Sequence, residues 1–195
     1  MDLTYIIIFI IIIGIVYYFY NNRGDVVYTK SDIDDQLYLV RELKDKQKAA
    51  NMLARLKQNI MTLTNYLVEN KNSEKFKPYI QYIDQLAEKI KNVVITESAG
   101  DSIYTSYSVN KGEEIVFCLR SRKNKDQLHD LNLIMYVALH EMAHVACPEF
   151  GHTELFKKIF AFLTNVAVEL GLYKKMDFDT DPAEYCGLTI TDSII

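Results

Sequence analysis

A chain of 195 residues, 49% of them apolar, has room for one domain of moderate size with a real core. Its net charge of −4 and pI near 5.6 argue against a strongly electrostatic, nonspecific grip on nucleic acid, which is therefore not an expected partner. The chain carries neither an internal repeat nor a low-complexity linker.

The first element is an apolar run. Leu3 to Tyr20 has no charged residue, and about 18 to 20 such residues suffice to cross a bilayer. Tyr17, Tyr18 and Tyr20 fall where an interfacial aromatic belt would lie. A cleaved signal peptide would need a basic start and a small-x-small cleavage site, and neither is present, so residues 1–22 read as a retained single-pass transmembrane anchor. Arg23 and Lys30 follow the run and nothing basic precedes it, which places the bulk of the chain on the cytosolic side. Two further features lean toward a reducing compartment: no Asn-x-Ser/Thr acceptor occurs, and Cys118, Cys147 and Cys186 are an odd number at unpatterned spacing.

Residues 23–92 read as a helical region packing on the C-terminal half of the chain. Asp32, Asp34 and Asp35 enrich a first turn, and Ala49, Met52, Leu53, Leu56, Ile60, Leu63 and Leu67 recur at helical spacing. After a break from Asn70 to Pro78, the spacing resumes with Ile80, Ile83, Leu86, Ala87 and Ile90. Val93 to Glu97 reads as a short strand. Tyr104 to Val109 and Glu114 to Leu119 flank Asn110-Lys111-Gly112-Glu113, a hairpin signal, and Ile115 to Leu119 is the candidate edge strand for holding an extended substrate. Arg120 to Lys125 is a local basic patch that reads as a solvated loop, and His129 reads as solvated beside it.

The chemistry-bearing stretch is His140-Glu141-Met142-Ala143-His144. Dense apolar positions from Leu131 to Ala146, a capping Asp130 and a terminating Pro148 place it on a helix. Histidines four apart on a helix point the same way and can share one metal, while Glu141 is turned aside and suits the role of base toward metal-bound water. Catalytic zinc takes three protein ligands and keeps one position open. His152 follows the break at residues 147–151 and is the leading third ligand, with Glu154, Glu169 and Cys147 as rivals. A second amphipathic helix runs from Thr153 toward Gly171, a plausible C-cap. Asp177 to Asp181 alternates acids as a calcium loop does. Pro182 and Leu188 occupy the positions where glycine and glutamate are needed, so the stretch reads as a solvated acidic loop. Tyr185 reads as a packed residue that could in principle fold back toward a reaction oxyanion.

The run HEMAHVACPEFGHTELF resembles the HExxH, gap, GHxxxF arrangement of the SprT/Spartan and WLM metallopeptidases, which are minimal zincins. The upstream strand, hairpin and helix order resembles WLM-like proteins, including versions found in large DNA viruses, over roughly Val93 to Ile195. This resemblance implies an α+β minimal zincin-like fold over residues 93–195, zinc on His140, His144 and His152, Glu141 as catalytic base, and protein or peptide substrates. Thr153 stands where such proteins usually carry glycine. The competing reading is a noncatalytic zinc-stabilised scaffold tethered to a membrane, which would have no use for Glu141 and would close its metal with a fourth ligand.

Overall fold

The three aspartates expected to open a helix instead build a hairpin turn. In the computed structural model, which describes residues 5, 8–15, 25–123 and 127–195, strands β1 (Val26–Lys30) and β2 (Leu37–Arg41) pair antiparallel around them. The Asp34 carboxylate accepts from the Gln36 amide and the Tyr38 hydroxyl, the Ser31 hydroxyl accepts from the Ile33 amide, and Asp35 sits at φ 59°. Short polar side chains that bond their own neighbouring backbone favour turns over helix interiors. The helical reading of residues 23–92 is thus corrected up to Arg41, and the helix begins only at Lys46.

From there the helical spacing is realised. Helix α1 (Lys46–Asn70) buries Leu53, Leu56, Ile60, Leu63 and Leu67 on one stripe, and α2 (Ile80–Ile90) buries Ile83, Leu86 and Ile90. Both pack against α3 (Leu131–Ala146), whose other flank carries α4 (Glu154–Glu169). Helix α3 is buried nearly all round, including Ile134, Met135, Ala138, Leu139, Met142 and Ala143, so it forms the axis of the core. The Asp130 carboxylate caps its start by accepting from the Asn132 amide.

Over α3 lies a three-stranded sheet in the order β3 (Val94–Glu97), β5 (Glu114–Phe117), β4 (Tyr107–Val109). β3 runs parallel to β5 and β4 antiparallel to it. The strand expected at the edge is therefore the central one. β5 has both sides occupied because β3 returns to its outer side, a long-range pairing that local sequence cannot reveal, and β4 is an edge strand instead. Asn110, Lys111 and Gly112 turn the hairpin with positive φ. At Gly112 a side chain would also meet the Val145 methyls at 3.0 and 3.3 Å, so the loop presses directly on α3.

The chain closes with a small hairpin, β6 (Ala183–Tyr185) and β7 (Leu188–Ile190). Cys186 and Gly187 link them with positive φ at both positions, as a two-residue type I′ turn requires. Cys186 forms a disulfide with Cys118 beside β5, and Cys147 is a buried free thiol. The odd cysteine count is therefore one pair plus one packed residue. The cysteine count no longer argues for a reducing compartment, and the expectation of a cytosolic placement rests on Arg23, Lys30 and the lack of an Asn-x-Ser/Thr acceptor.

The basic patch is also corrected at its first residue. Arg120 is buried, with its Nε donating to Glu97 at 2.7 Å and its Nη1 to Asp45 at 2.7 Å, while Glu97 also accepts from the Arg41 amide at 2.7 Å. This network ties β2, β3 and the start of α1 to the segment after β5. Removing one partner of a buried ion pair strands the other, so Arg120→Ala should lower unfolding free energy by about 3–5 kcal/mol. Urea denaturation would show it, and a loss below about 1 kcal/mol would mean that the pair contributes little. Among the described residues no helix is long and apolar enough to cross a membrane. The anchor expected over residues 1–22 lies mostly outside the described residues; residues 8–15 are helical with exposed side chains.

Candidate metal centre

His140 and His144 leave α3 one turn apart on the same face, and His152 is brought back over them by the break after Ala146. Two features set that break. Gly151 takes φ 79°, a backbone state that side chains disfavour, and Lys111 from the β4–β5 loop donates to the carbonyls of Cys147 and Pro148 at 3.4 and 3.3 Å. A cation there also faces the negative end of α3. Thr153, the departure from the zincin pattern, has a job of its own. It caps α4, its hydroxyl accepting from the Phe156 amide at 3.3 Å.

The three Nε2 atoms lie 3.1 Å from one another in all three pairs. Three neutral imidazoles that all aim one ring nitrogen at the same point cannot satisfy each other by hydrogen bonds, because each such nitrogen either donates or accepts. A tetrahedral ion at about 2.0–2.1 Å from each nitrogen would hold its donors roughly 3.3 Å apart, so the triad fits zinc. Phe156 supports all three rings, with centroids 5.1, 4.2 and 4.9 Å from those of His140, His144 and His152. The rival ligands lie elsewhere. The exposed Glu154 pairs with Lys157, Glu169 pairs with Lys75, and Cys147 is buried outside the cluster.

Glu141 points into the same cavity of about 790 Å3, which His140, His144 and His152 also line. The residue is 6% exposed, and its carboxylate has no hydrogen-bond partner among the described residues. Burial alone pushes its carboxyl up to about 7, the range that suits a base working near neutrality. Tyr185, read from sequence as a packed residue that could fold back toward a reaction oxyanion, lines the cavity as well. Its hydroxyl lies 2.5 Å from the Ser106 hydroxyl, and burial raises the phenol pKa, so it stays a neutral donor. The neighbouring Cys186 ties the same hairpin to Cys118. His129 is half-buried rather than solvated, its Nε2 accepting from the Cys186 amide at 3.3 Å.

No known family profile matches the sequence. Uncharacterized protein R325 of Acanthamoeba polyphaga mimivirus is 48% identical over 197 residues, with 98% of each chain covered. The chain belongs to that protein's family. Shorter matches reach Uncharacterized protein 136R of Invertebrate iridescent virus 6, 44% identical over 69 residues, or 35% of this chain and 38% of that one. Uncharacterized protein 042R of Invertebrate iridescent virus 3 is 41% identical over 68 residues, or 35% of this chain and 42% of that one. Among solved structures, Wss1 from Saccharomyces cerevisiae aligns with a TM-score of 0.48 and 20% identity, covering 68% of this chain and 88% of that one.

Without metal, the site should make stability depend on pH. Burial, reinforced by the neighbouring histidines, holds His140 down to about 3, and burial with the nearby His152 and Lys111 holds His144 down to about 4. Unfolded histidines protonate near 6.5, so below that pH the unfolded state binds more protons and stability falls until the folded pKa values are passed. Glu141 acts in the opposite sense, because the folded state keeps a proton that the unfolded chain releases near 4.5. Two histidines outweigh one carboxyl between pH 6.5 and 5. The metal-free protein should therefore melt at a lower temperature at pH 5 than at pH 6.5, and a calorimetric profile flat over that range would contradict the burial of His140 and His144.

Proposed function

We propose that the chain is a membrane-anchored, zinc-dependent metallopeptidase that hydrolyses peptide bonds of protein substrates. The observation that carries this reading is the convergence of three imidazole nitrogens beside a buried, unpaired carboxylate in one open cavity. His140, His144 and His152 would hold zinc. When bound, zinc supplies Lewis acidity toward a carbonyl oxygen and toward water.

The remaining steps belong to the chain's own residues. Glu141 takes a proton from the attacking water and returns it to the departing amine. The Tyr185 phenol, neutral and held at the Ser106 hydroxyl, donates to the oxygen of the tetrahedral carbon. Strand β4 lies at a sheet edge, and Ser106, Tyr107 and Ser108 line the cavity, so an extended peptide can add to it as a further strand. The resemblance of HEMAHVACPEFGHTELF to the SprT and WLM zincins supports the same reading. Anchoring rests on the uncharged run Leu3 to Tyr20, and cytosolic exposure on the basic residues that follow it.

A structural zinc scaffold is the weaker alternative, since it would have no use for the Glu141 carboxylate and would close its metal with a fourth ligand, whereas the cluster among the described residues has three. The test uses the full chain in detergent: zinc stoichiometry by atomic absorption, and cleavage of a denatured protein with and without a chelator. One zinc per chain with chelator-sensitive cleavage is expected. One zinc without cleavage would favour the scaffold.

A further inference from the structure

The cavity is far larger than a metal ion and one water require, and its lining is of two chemical kinds. The histidines and Glu141 make up one. Tyr136, Val137, Leu188, Ile190 and Ile194 make up the other, with Phe160 between them, its ring centre 5.3 Å from that of His140. Tyr136 and Val137 stand on α3 one turn before His140 and Glu141, on the same face, so this apolar wall begins about 5–6 Å along the helix from the reacting centre. That is the reach of a side chain belonging to a residue beside the scissile bond, since consecutive residues of an extended peptide advance about 3.3 Å.

The wall is also held in place. Tyr136 packs its ring 5.2 Å from Phe160 and 4.7 Å from Phe178, and its hydroxyl donates to the Asp192 carbonyl at 3.3 Å. The β6–β7 hairpin that presents Leu188 and Ile190 is pinned at its turn by the Cys118–Cys186 disulfide, and beside it by the contact between Tyr185 and Ser106. Asp192 and Ser193 add polar groups from the C-terminal stretch, and no lysine or arginine among the described residues lines the cavity.

We infer that this apolar part of the cavity is a specificity subsite for one bulky apolar side chain, of the size of leucine, phenylalanine or methionine, at a residue flanking the bond to be cut. The inference rests on the metallopeptidase reading for the bond, but the subsite itself binds whether or not cleavage occurs. An acidic side chain at that position would lose water and meet no cation, and a polar one would give up hydration that an apolar one never held.

The test separates the two readings. Capped hexapeptides Gly-Gly-X-X-Gly-Gly, with X as Leu, Ala, Lys or Asp, are titrated by calorimetry against the full-length Glu141→Gln variant in detergent. In parallel, cleavage sites of the wild type in a denatured protein mixture are mapped by mass spectrometry. The Leu-Leu peptide should bind roughly tenfold or more tighter than Ala-Ala and also tighter than Lys-Lys, with Asp-Asp weakest. Leu188→Asp, a change at a residue 58% exposed, should cut the Leu-Leu preference several-fold without altering zinc content. Cleavage sites should carry a bulky apolar residue on one fixed side of the bond. Equal binding of the Leu and Ala peptides would overturn the subsite even if the protein cleaves. Preferential Leu-Leu binding by a protein that cleaves nothing would uphold the subsite and remove the peptidase. Binding by detergent-like alkyl chains in place of the peptides would assign the pocket to lipid and overturn it.

Discussion

Glu141→Gln is expected to lower peptide cleavage by roughly 10²–10⁴-fold while one zinc per chain is retained. The amide matches the carboxylate in shape, so the cavity wall formed by α3 stays intact, yet it cannot accept a proton from water. A second readout distinguishes a catalytic base from a structural one. The Glu141 carboxyl is pushed up to about 7 by burial, so in the metal-free protein its ionisation opposes folding above that pH. The glutamine variant should therefore match or exceed the wild type in thermal stability at pH 8 without metal. Loss of cleavage with unchanged stability and zinc would place Glu141 in the chemistry. Unchanged cleavage would remove it, and with it the single-base mechanism.

Legibility in the sequence tracked the range of the interaction. The spacing of His140 and His144 is local, and so are the helical stripe of α1 and the turn signal of residues 110–113; each could be seen without coordinates. The β1–β2 hairpin was hidden because Asp32, Asp34 and Asp35 suit both a helix start and an Asx turn, and the bonds to Gln36 and Tyr38 decide between them. The central position of β5, the burial of Arg120 against Glu97 and Asp45, and the arrival of Tyr185 at Ser106 all depend on partners distant in sequence, 23 to 79 residues away for the hydrogen bonds. No local pattern encodes them. The disulfide between Cys118 and Cys186, 68 residues apart, is of the same kind, and it carries the wall of the proposed subsite.

His152→Ala should weaken zinc binding by more than about 100-fold, beyond the 10–100-fold typical of losing an outer hydrogen-bond partner. Two ligands one turn apart on α3 leave the metal held from one side only, whereas three converging nitrogens fix it while leaving a position open. His152 is the exposed member of the triad, carried on the loop before α4, so its truncation removes little packing and a folded variant is expected. Metal competition with a chromogenic chelator on the full chain measures the loss directly. Glu154→Gln, Glu169→Gln and Cys147→Ala serve as controls, because Glu154 is occupied by Lys157, Glu169 by Lys75, and Cys147 lies outside the cluster. Retained zinc in His152→Ala, with zinc lost in one of those three, would move the third ligand and reopen the geometry on which the peptidase reading stands. Zinc lost in His152→Ala alone leaves a three-histidine site with one face open to the cavity, the arrangement that hydrolytic chemistry at Glu141 requires.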